Sequence, residues 1–324
     1  MSNNLKKITK VLIVGSGYMA TEYAKVLTGL NIAYEVVGRG ISNCKKMEKK
    51  FSVKVHSGGI ENFLSNNILS EYSHVINTVN VNFLNQTTQS LINAGAKKIL
   101  LEKPGDLTIT GLKKISDLSN KNHAEVLIAY NRRFYSSIQN LKKLAKKDGG
   151  ITGVHFEFTE WIHTINPEDY DNESLAKWVI ANSSHVIDTV FYLIGKPKNI
   201  ISNISGKEQI PWHPSASIFY GSGESEKNIP FTYHTNWLSA GRWAIKVLTK
   251  KGAYYLAPLE ILQKQDIGTT IIEKIDLDYS LDEKYKPGLY QQVYNFINNN
   301  FEDFCTIESQ LIKTKNIYNQ IANY

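Results

Sequence analysis

An apolar run, Val11–Val14, opens directly into Gly15-Ser16-Gly17-Tyr18-Met19-Ala20, and an amphipathic stretch, Met19–Leu30, follows. A strand that turns through two glycines into a helix constrains the fold more than any other feature of this chain. Gly15 permits the tight turn, Gly17 leaves room for a phosphate to approach the backbone, and Ala20 lets helix and strand pack closely. The helix then aims its free N–H groups at the anion. A lone glycine turn of this kind is weak; at the first strand of an alternating series it reads as dinucleotide binding, through Gly15, Ser16, Gly17, Tyr18 and Met19.

The series is there. Val11–Val14, Ala33–Val37, Val53–Val55, His74–Thr78, Ile99–Leu101 and Val126–Tyr130 read as strands, separated by helical patterns at Met19–Leu30, Ser42–Lys50, Phe83–Ala94 and Ile109–Leu118. Strict alternation implies right-handed crossovers and a doubly wound parallel sheet. After a linking helix at Ser136–Lys147 the period falls to two: Val154, Phe156 and Phe158 are apolar, His155, Glu157 and Thr159 polar. Strand-like runs follow at Ser215–Tyr220, Phe231–Trp237, Trp243–Thr249, Ala253–Leu256, Leu259–Gln263 and Thr270–Ile275, with helices at Ser184–Ile194, Leu289–Ile297 and Ile307–Ile321. The expected class is α/β: a Rossmann domain over 1–131, then an α+β domain over 132–324 with an open-faced, mostly antiparallel sheet.

An acidic residue at the end of the second strand would grip the ribose hydroxyls of NAD. Gly38-Arg39-Gly40-Ile41-Ser42 stands there instead, and a guanidinium with a hydroxyl suits a 2′-phosphate. NADP is therefore the expected cofactor, with NAD the alternative. Asn80, after the fourth strand, and Glu102-Lys103, after the fifth, reach the same carboxyl edge of the sheet. A lysine at that edge suits a substrate hydroxyl and a developing alkoxide.

Charge narrows the partners. Of 37 basic residues against 30 acidic, only Arg39, Arg132, Arg133 and Arg242 are arginines. Nucleic-acid readers cluster the bidentate guanidinium, whereas these lysines are dispersed, so no nucleic-acid partner is expected. Cys44 and Cys305 make neither a disulfide framework nor a metal-ligand spacing, and the eight histidines are scattered, so no metal is expected. Met1–Lys10 is polar and no apolar run approaches a membrane span, which points to a cytoplasmic protein with no membrane partner.

Four motifs in order carry a resemblance: the glycine turn, Glu102-Lys103-Pro104 after Ala94-Gly95, Tyr130-Asn131-Arg132-Arg133-Phe134, and Ser184-His185-Val186-Ile187-Asp188. Together they resemble the glucose-fructose oxidoreductase and inositol dehydrogenase family (Gfo/Idh/MocA), over essentially the whole chain. The resemblance implies NAD(P)-linked oxidation or reduction of a sugar, nucleotide sugar or cyclitol carbon. It implies Lys103 as the catalytic lysine that orients substrate and contacts the nicotinamide ribose, and His185 as the catalytic histidine that faces the reacting hydroxyl. Asp188, one turn on, either orients His185 or is buried for structural reasons.

Two departures stand out. Ala181 occupies a position, four residues before His185, where many members carry an aspartate, which leaves Asn182 or Lys177 as candidate substitutes. The segment Thr78-Val79-Asn80-Val81-Asn82 also lacks the family's usual Thr-Pro-Asn. In the second half, Glu160-Trp161-Ile162-His163, Tyr233–Trp237 and Arg242-Trp243 combine aromatic faces with hydrogen-bonding groups, a composition suited to sugar rings, and Arg132, Trp161, His163, Asn182 and Arg242 are the candidate substrate contacts. The aromatic strands also suggest core packing and an interface, so a homodimer or homotetramer through the sheet is expected. Two other readings accompany the dehydrogenase: a cofactor-binding sensor without catalysis, and a lyase or glycosidase using held NAD.

Overall fold

The computed structural model describes residues 9–324; the polar stretch at residues 1–8 lies outside them. The chain forms two compact units, one comprising the chain up to Ala129 with Leu289–Gln310, the other Tyr130–Gly288 with Leu311–Tyr324.

In the first unit β1 (Lys10–Val14), β2 (Ala33–Val37), β3 (Val55–His56), β4 (His74–Asn77), β5 (Lys98–Leu101) and β6 (Glu125–Ile128) form a parallel sheet in the order β6-β5-β4-β1-β2-β3. Between them run α1 (Tyr18–Gly29), α2 (Ile41–Phe51), α3 (Gly59–Asn66), α4 (Val81–Asn93) and α5 (Ile109–Asn122). Val11, Leu12, Ile13, Ile99, Leu100 and Leu101 are fully buried, as continuous apolar runs covered on both faces must be. The sequence reading missed α3, whose Ile60 and Phe63 pack inward from an otherwise polar eight-residue stretch too short to show a period. It also placed β3 two residues early.

The unit closes with residues from far down the chain. Cys305–Thr306 adds an antiparallel strand to β6, pairing Cys305 with Ile128 and Thr306 with Leu127, which covers that edge of the sheet. The helix Leu289–Ile297 packs on α1, where Gln292 Oε1 lies 3.4 Å from the buried Tyr23 hydroxyl. Gln310 Nε2 donates to the Pro104 carbonyl at 3.0 Å.

The second unit is built on an eight-stranded sheet. Its strands are β7 (Ile151–Phe158), β8 (Pro197–Ser205), β9 (Ile218–Ser225), β10 (Pro230–Asn236), β11 (Trp243–Thr249), β12 (Gly252–Leu256), β13 (Leu262–Asp266) and β14 (Glu273–Lys274). They lie in the order β14-β13-β12-β11-β7-β10-β9-β8, antiparallel except where β7 meets β10. Helices α6 (Ser136–Lys147), α7 (Asn172–Ala176) and α8 (Ser184–Ile194) accompany it, with α8 packed against β7. The aromatic residues of these strands face the core: Phe156, Phe158, Phe219, Tyr233 and Trp237 are buried together. The outer face carries His155, Thr232, His234 and Lys246 with exposed Ile201, Tyr220 and Leu248. The sequence reading missed one strand of this sheet and placed another too early. β8, an edge strand that begins on a proline and buries none of its residues, shows no clean alternation and is the one missed. β9 runs from Ile218 to Ser225, beyond the reading that ended at Tyr220, and passes through Gly221 and Gly223; a Cβ at either would strike the rings of Tyr233 or Phe231, so glycine is what lets those rings pack.

Candidate functional site

In the first unit, Gly15 has φ +120°, and a Cβ there would meet Thr78, so the glycine is required by the turn. Its N–H donates to the Val37 carbonyl at 2.8 Å. Gly17 caps α1 with no side-chain acceptor, the first turn holds no acidic residue, and a Cβ on Gly17 would meet nothing within 4 Å. A helix start without an acceptor, facing open space, fits a diphosphate. Ser16, Tyr18 and Met19 continue this turn, with Tyr18 66% exposed.

A hollow beside the turn is lined by Val14, Gly15, Arg39, Ile60, Phe83 and Thr87. The Arg39 guanidinium rests 4.3 Å above the Phe83 ring, which holds it at the rim. A second hollow lies between the turn and α2, lined by Ser16, Thr21, Asn43, Lys46 and Lys50. Ser42 is exposed at the start of α2. Sequence reasoning missed Lys46 and Phe83, because their relation to the glycine turn depends on how α2 and α4 pack. Asn80 caps α4 by accepting from the Asn82 N–H at 3.3 Å.

At the end of β5, Glu102 Oε1 accepts from the Tyr23 hydroxyl at 2.8 Å. Burial first, and the Glu102 charge second, push the Tyr23 phenol well above its ordinary range, so it stays a donor. Lys103 follows, half-buried at the carboxyl end of the strand, where ligands of open α/β sheets bind.

In the second unit a short helical turn, Asn131–Phe134, presents Arg132 to His185 on the first turn of α8; Arg132 NH1 lies 2.8 Å from His185 Nε2. A guanidinium only donates, so Nε2 accepts and the ring is neutral with its proton on Nδ1. His185 is buried, edge-on to Tyr130 at 5.7 Å and 5.9 Å from the Trp243 ring. A π-helical turn, Val179–Ser183, leads into α8, a geometry that often accompanies functional sites. Its Asn182 and Ser183 both donate to Glu160, which follows closely on β7. Burial pushes the Glu160 carboxyl up, opposed by Ser183, Arg242 and Asn182. Arg242 lies over Trp161 at 4.7 Å and Trp243 at 4.8 Å, and His163 packs against Trp161 at 6.3 Å.

Five of the residues read as substrate contacts, Arg132, Trp161, Asn182, His185 and Arg242, thus share one region of the second unit, with His163 at its margin. Glu160 and Trp243 complete it. Asp188 takes no part: Arg133 holds its two oxygens at 2.7 and 2.8 Å, and Lys313 adds a second cation. Burial alone would raise the Asp188 carboxyl, but those cations outweigh it and hold it below its ordinary value. Among the described residues no group of three or more His, Cys, Asp or Glu is placed to hold a metal, and no helix is long and apolar enough to cross a membrane.

The family described as pyridine nucleotide-disulphide oxidoreductase matches residues 10–98, the stretch that carries the glycine turn. No curated protein matches. Solved structures superpose along nearly the full length. UDP-N-acetylglucosamine 3-dehydrogenase GnnA from Acidithiobacillus ferrooxidans gives a TM-score of 0.73 at 12% identity, covering 97% of this chain and 98% of that one. Levoglucosan dehydrogenase, solved with NADH and levoglucosan, gives 0.76 at 13%, covering 97% and 96%. Biliverdin reductase from Synechocystis sp. PCC 6803, solved with biliverdin and NADP+, gives 0.71 at 15%, covering 98% and 100%. The fold is that of the Gfo/Idh/MocA oxidoreductases. The solved proteins that share this fold are named for UDP-N-acetylglucosamine, levoglucosan and biliverdin. A Gfo/Idh/MocA fold therefore leaves the substrate to the side chains of the site.

Proposed function

We propose that the protein is an NAD(P)-dependent dehydrogenase or reductase that transfers a hydride between nicotinamide and a secondary alcohol or carbonyl of a sugar, nucleotide sugar or cyclitol. The observation that carries this reading is the neutral His185, its Nε2 presented to a donor, inside a region walled by Trp161 and Trp243. Aromatic faces take the apolar side of a sugar ring, and a neutral imidazole exchanges the proton that accompanies each hydride.

Gly15, Ser16, Gly17, Tyr18 and Met19 would hold the cofactor diphosphate, with Asn80 and Glu102 at the same sheet edge. The cofactor would supply the hydride acceptor or donor. Arg39 with Ser42, supported by Lys46, favours NADP over NAD, since these groups offer positive charge and no carboxylate to a ribose 2′-phosphate. Lys103 would hold the reacting oxygen and stabilise its developing charge. A substrate hydroxyl would replace the Arg132 N–H at His185 Nε2, and Arg132 would then bind substrate. The outer face of the eight-stranded sheet, with exposed Ile201, Tyr220 and Leu248, would join copies into a homodimer or homotetramer in the cytoplasm.

A screen tests the reading: NADPH and NADH fluorescence titrations, then nicotinamide absorbance against sugars, nucleotide sugars and cyclitols. Turnover with one of them is the expected result. Cofactor binding without any redox change would favour the second reading, a cofactor-binding sensor, which Ala181 in place of a carboxylate supports.

A further inference from the structure

Glu160 is 2% exposed, and such a carboxylate is costly to bury unless donors are gathered around it. They are. Asn182 Nδ2 donates to both of its oxygens, at 3.2 and 3.0 Å, Ser183 Oγ donates to Oε1 at 2.6 Å, and Arg242 NH1 lies 3.6 Å from Oε2. Ser183 is buried with it, but Asn182 is half-buried and the Arg242 side chain 41% exposed.

A carboxylate only accepts, so it dictates how a neighbouring amide is turned. With Nδ2 committed to Glu160, the Asn182 Oδ1 is directed away from the carboxylate as an acceptor. Arg242, drawn toward the same carboxylate and laid across Trp161 and Trp243, has further N–H groups to offer. One buried charge thereby orders a fixed acceptor and a fixed donor beside two aromatic faces, the arrangement that reads neighbouring hydroxyls on a ring.

We propose that Glu160 is a positioning residue, which fixes Asn182 as the acceptor and Arg242 as the donor for adjacent hydroxyls of a polyol substrate. This rests on the dehydrogenase reading above and narrows its substrate to rings with vicinal hydroxyls. Glutamine at 160 keeps the shape but supplies an amide, so Asn182 loses the partner that sets its orientation.

The test uses the full chain as wild type, Glu160→Gln, Asn182→Ala and the double variant, with glucose, myo-inositol and UDP-N-acetylglucosamine as probes. Polyol binding is read by tryptophan fluorescence, which needs no turnover, and KM and kcat by nicotinamide absorbance. Glu160→Gln is expected to weaken polyol binding and raise KM about tenfold, with NADPH affinity unchanged and kcat much less affected. The double variant is expected to lose less than the sum of the two single losses, because part of the effect of Glu160 passes through Asn182 and the rest through Arg242. Wild-type affinity and KM in Glu160→Gln, or effects that add in the double variant, would overturn the proposal while leaving a turning-over wild type as a dehydrogenase. If Glu160→Gln fails to fold, unchanged polyol affinity in Asn182→Ala overturns it equally. A wild type that neither binds nor turns over any probe removes the dehydrogenase reading and this proposal together.

Discussion

Arg132 NH1 lies 2.8 Å from His185 Nε2, and the two residues are 53 positions apart in sequence. The contact makes the imidazole an acceptor at the nitrogen that a substrate hydroxyl would need. His185→Ala should therefore lower kcat by about 10²- to 10⁴-fold, the usual worth of a positioned acid or base, with NADPH affinity retained. Activity close to wild type across pH 5 to 8 would show that another group carries the proton. Arg132→Ala should raise KM more than it lowers kcat, a split that steady-state kinetics resolves.

Lys103, at the end of β5, would act separately from His185. Lys103→Ala is expected to abolish measurable turnover with cofactor binding largely kept, because the diphosphate turn does not involve it and only a nicotinamide-ribose contact would be lost. Unchanged turnover would remove Lys103 from the mechanism.

Arg39 lies on Phe83 at the rim of one hollow, and Lys46 lines the next. Arg39→Asp should weaken NADP more than NAD, and Lys46→Ala should shift the preference the same way by a smaller factor. Competitive titration of the two cofactors measures the ratio, and equal losses for both would sink the assignment to the 2′-phosphate.

The two glycines of the turn should fail differently. Gly17→Ala places its methyl in open space, so stability should change by less than about 1 kcal/mol while cofactor affinity falls about tenfold or more. Gly15→Ala meets Thr78 at a strained φ, so it should cost about 1–3 kcal/mol of stability by itself. Thermal melts with and without NADPH separate the two.

Acid should weaken the first unit in two steps. Burial holds His74 down at about 4, against an ordinary value near 6.5, only partly offset by Asn299. The unfolded chain binds that proton first, so stability is full above pH 6.5 and is lost as pH falls toward 4. Burial alone would raise Glu35, but hydrogen bonds from His56, Tyr72 and Lys10 hold it at about 2. Its contribution, on the order of 1–3 kcal/mol, is present above pH 4.5 and disappears between 4.5 and 2. Glu35→Gln should remove the lower step from a urea-denaturation series against pH and leave the upper one.

The nucleotide-binding half was legible because its information is local. Val11–Val14, the glycine turn and the helix after it are contiguous, and the strands of the parallel sheet read as short apolar runs. Asn182 and Arg242 were legible as residue types. Glu160 stood out only as part of Glu160-Trp161-Ile162-His163, because an acidic residue before Trp161 gives no sign that Asn182 and Ser183, 22 and 23 positions on, will converge on it. For Tyr233 and Trp237 the sequence pointed to core or interface packing without deciding between them, since alternation shows that a strand has two faces but not which one a helix will cover. Asp188 illustrates the same limit: the sequence left it between orienting His185 and structural burial, because the partners that decide, Arg133 and Lys313, lie 55 and 125 residues away.

Cys305–Thr306 has a consequence for how the chain is made. During synthesis the flank of β6 stays without a neighbour until residue 306 has left the ribosome, so the nucleotide-binding unit is finished almost last although its first strand emerges first. A fragment cut at residue 129 would carry that bare strand flank permanently, and a soluble version needs residues 289–310 stitched back on.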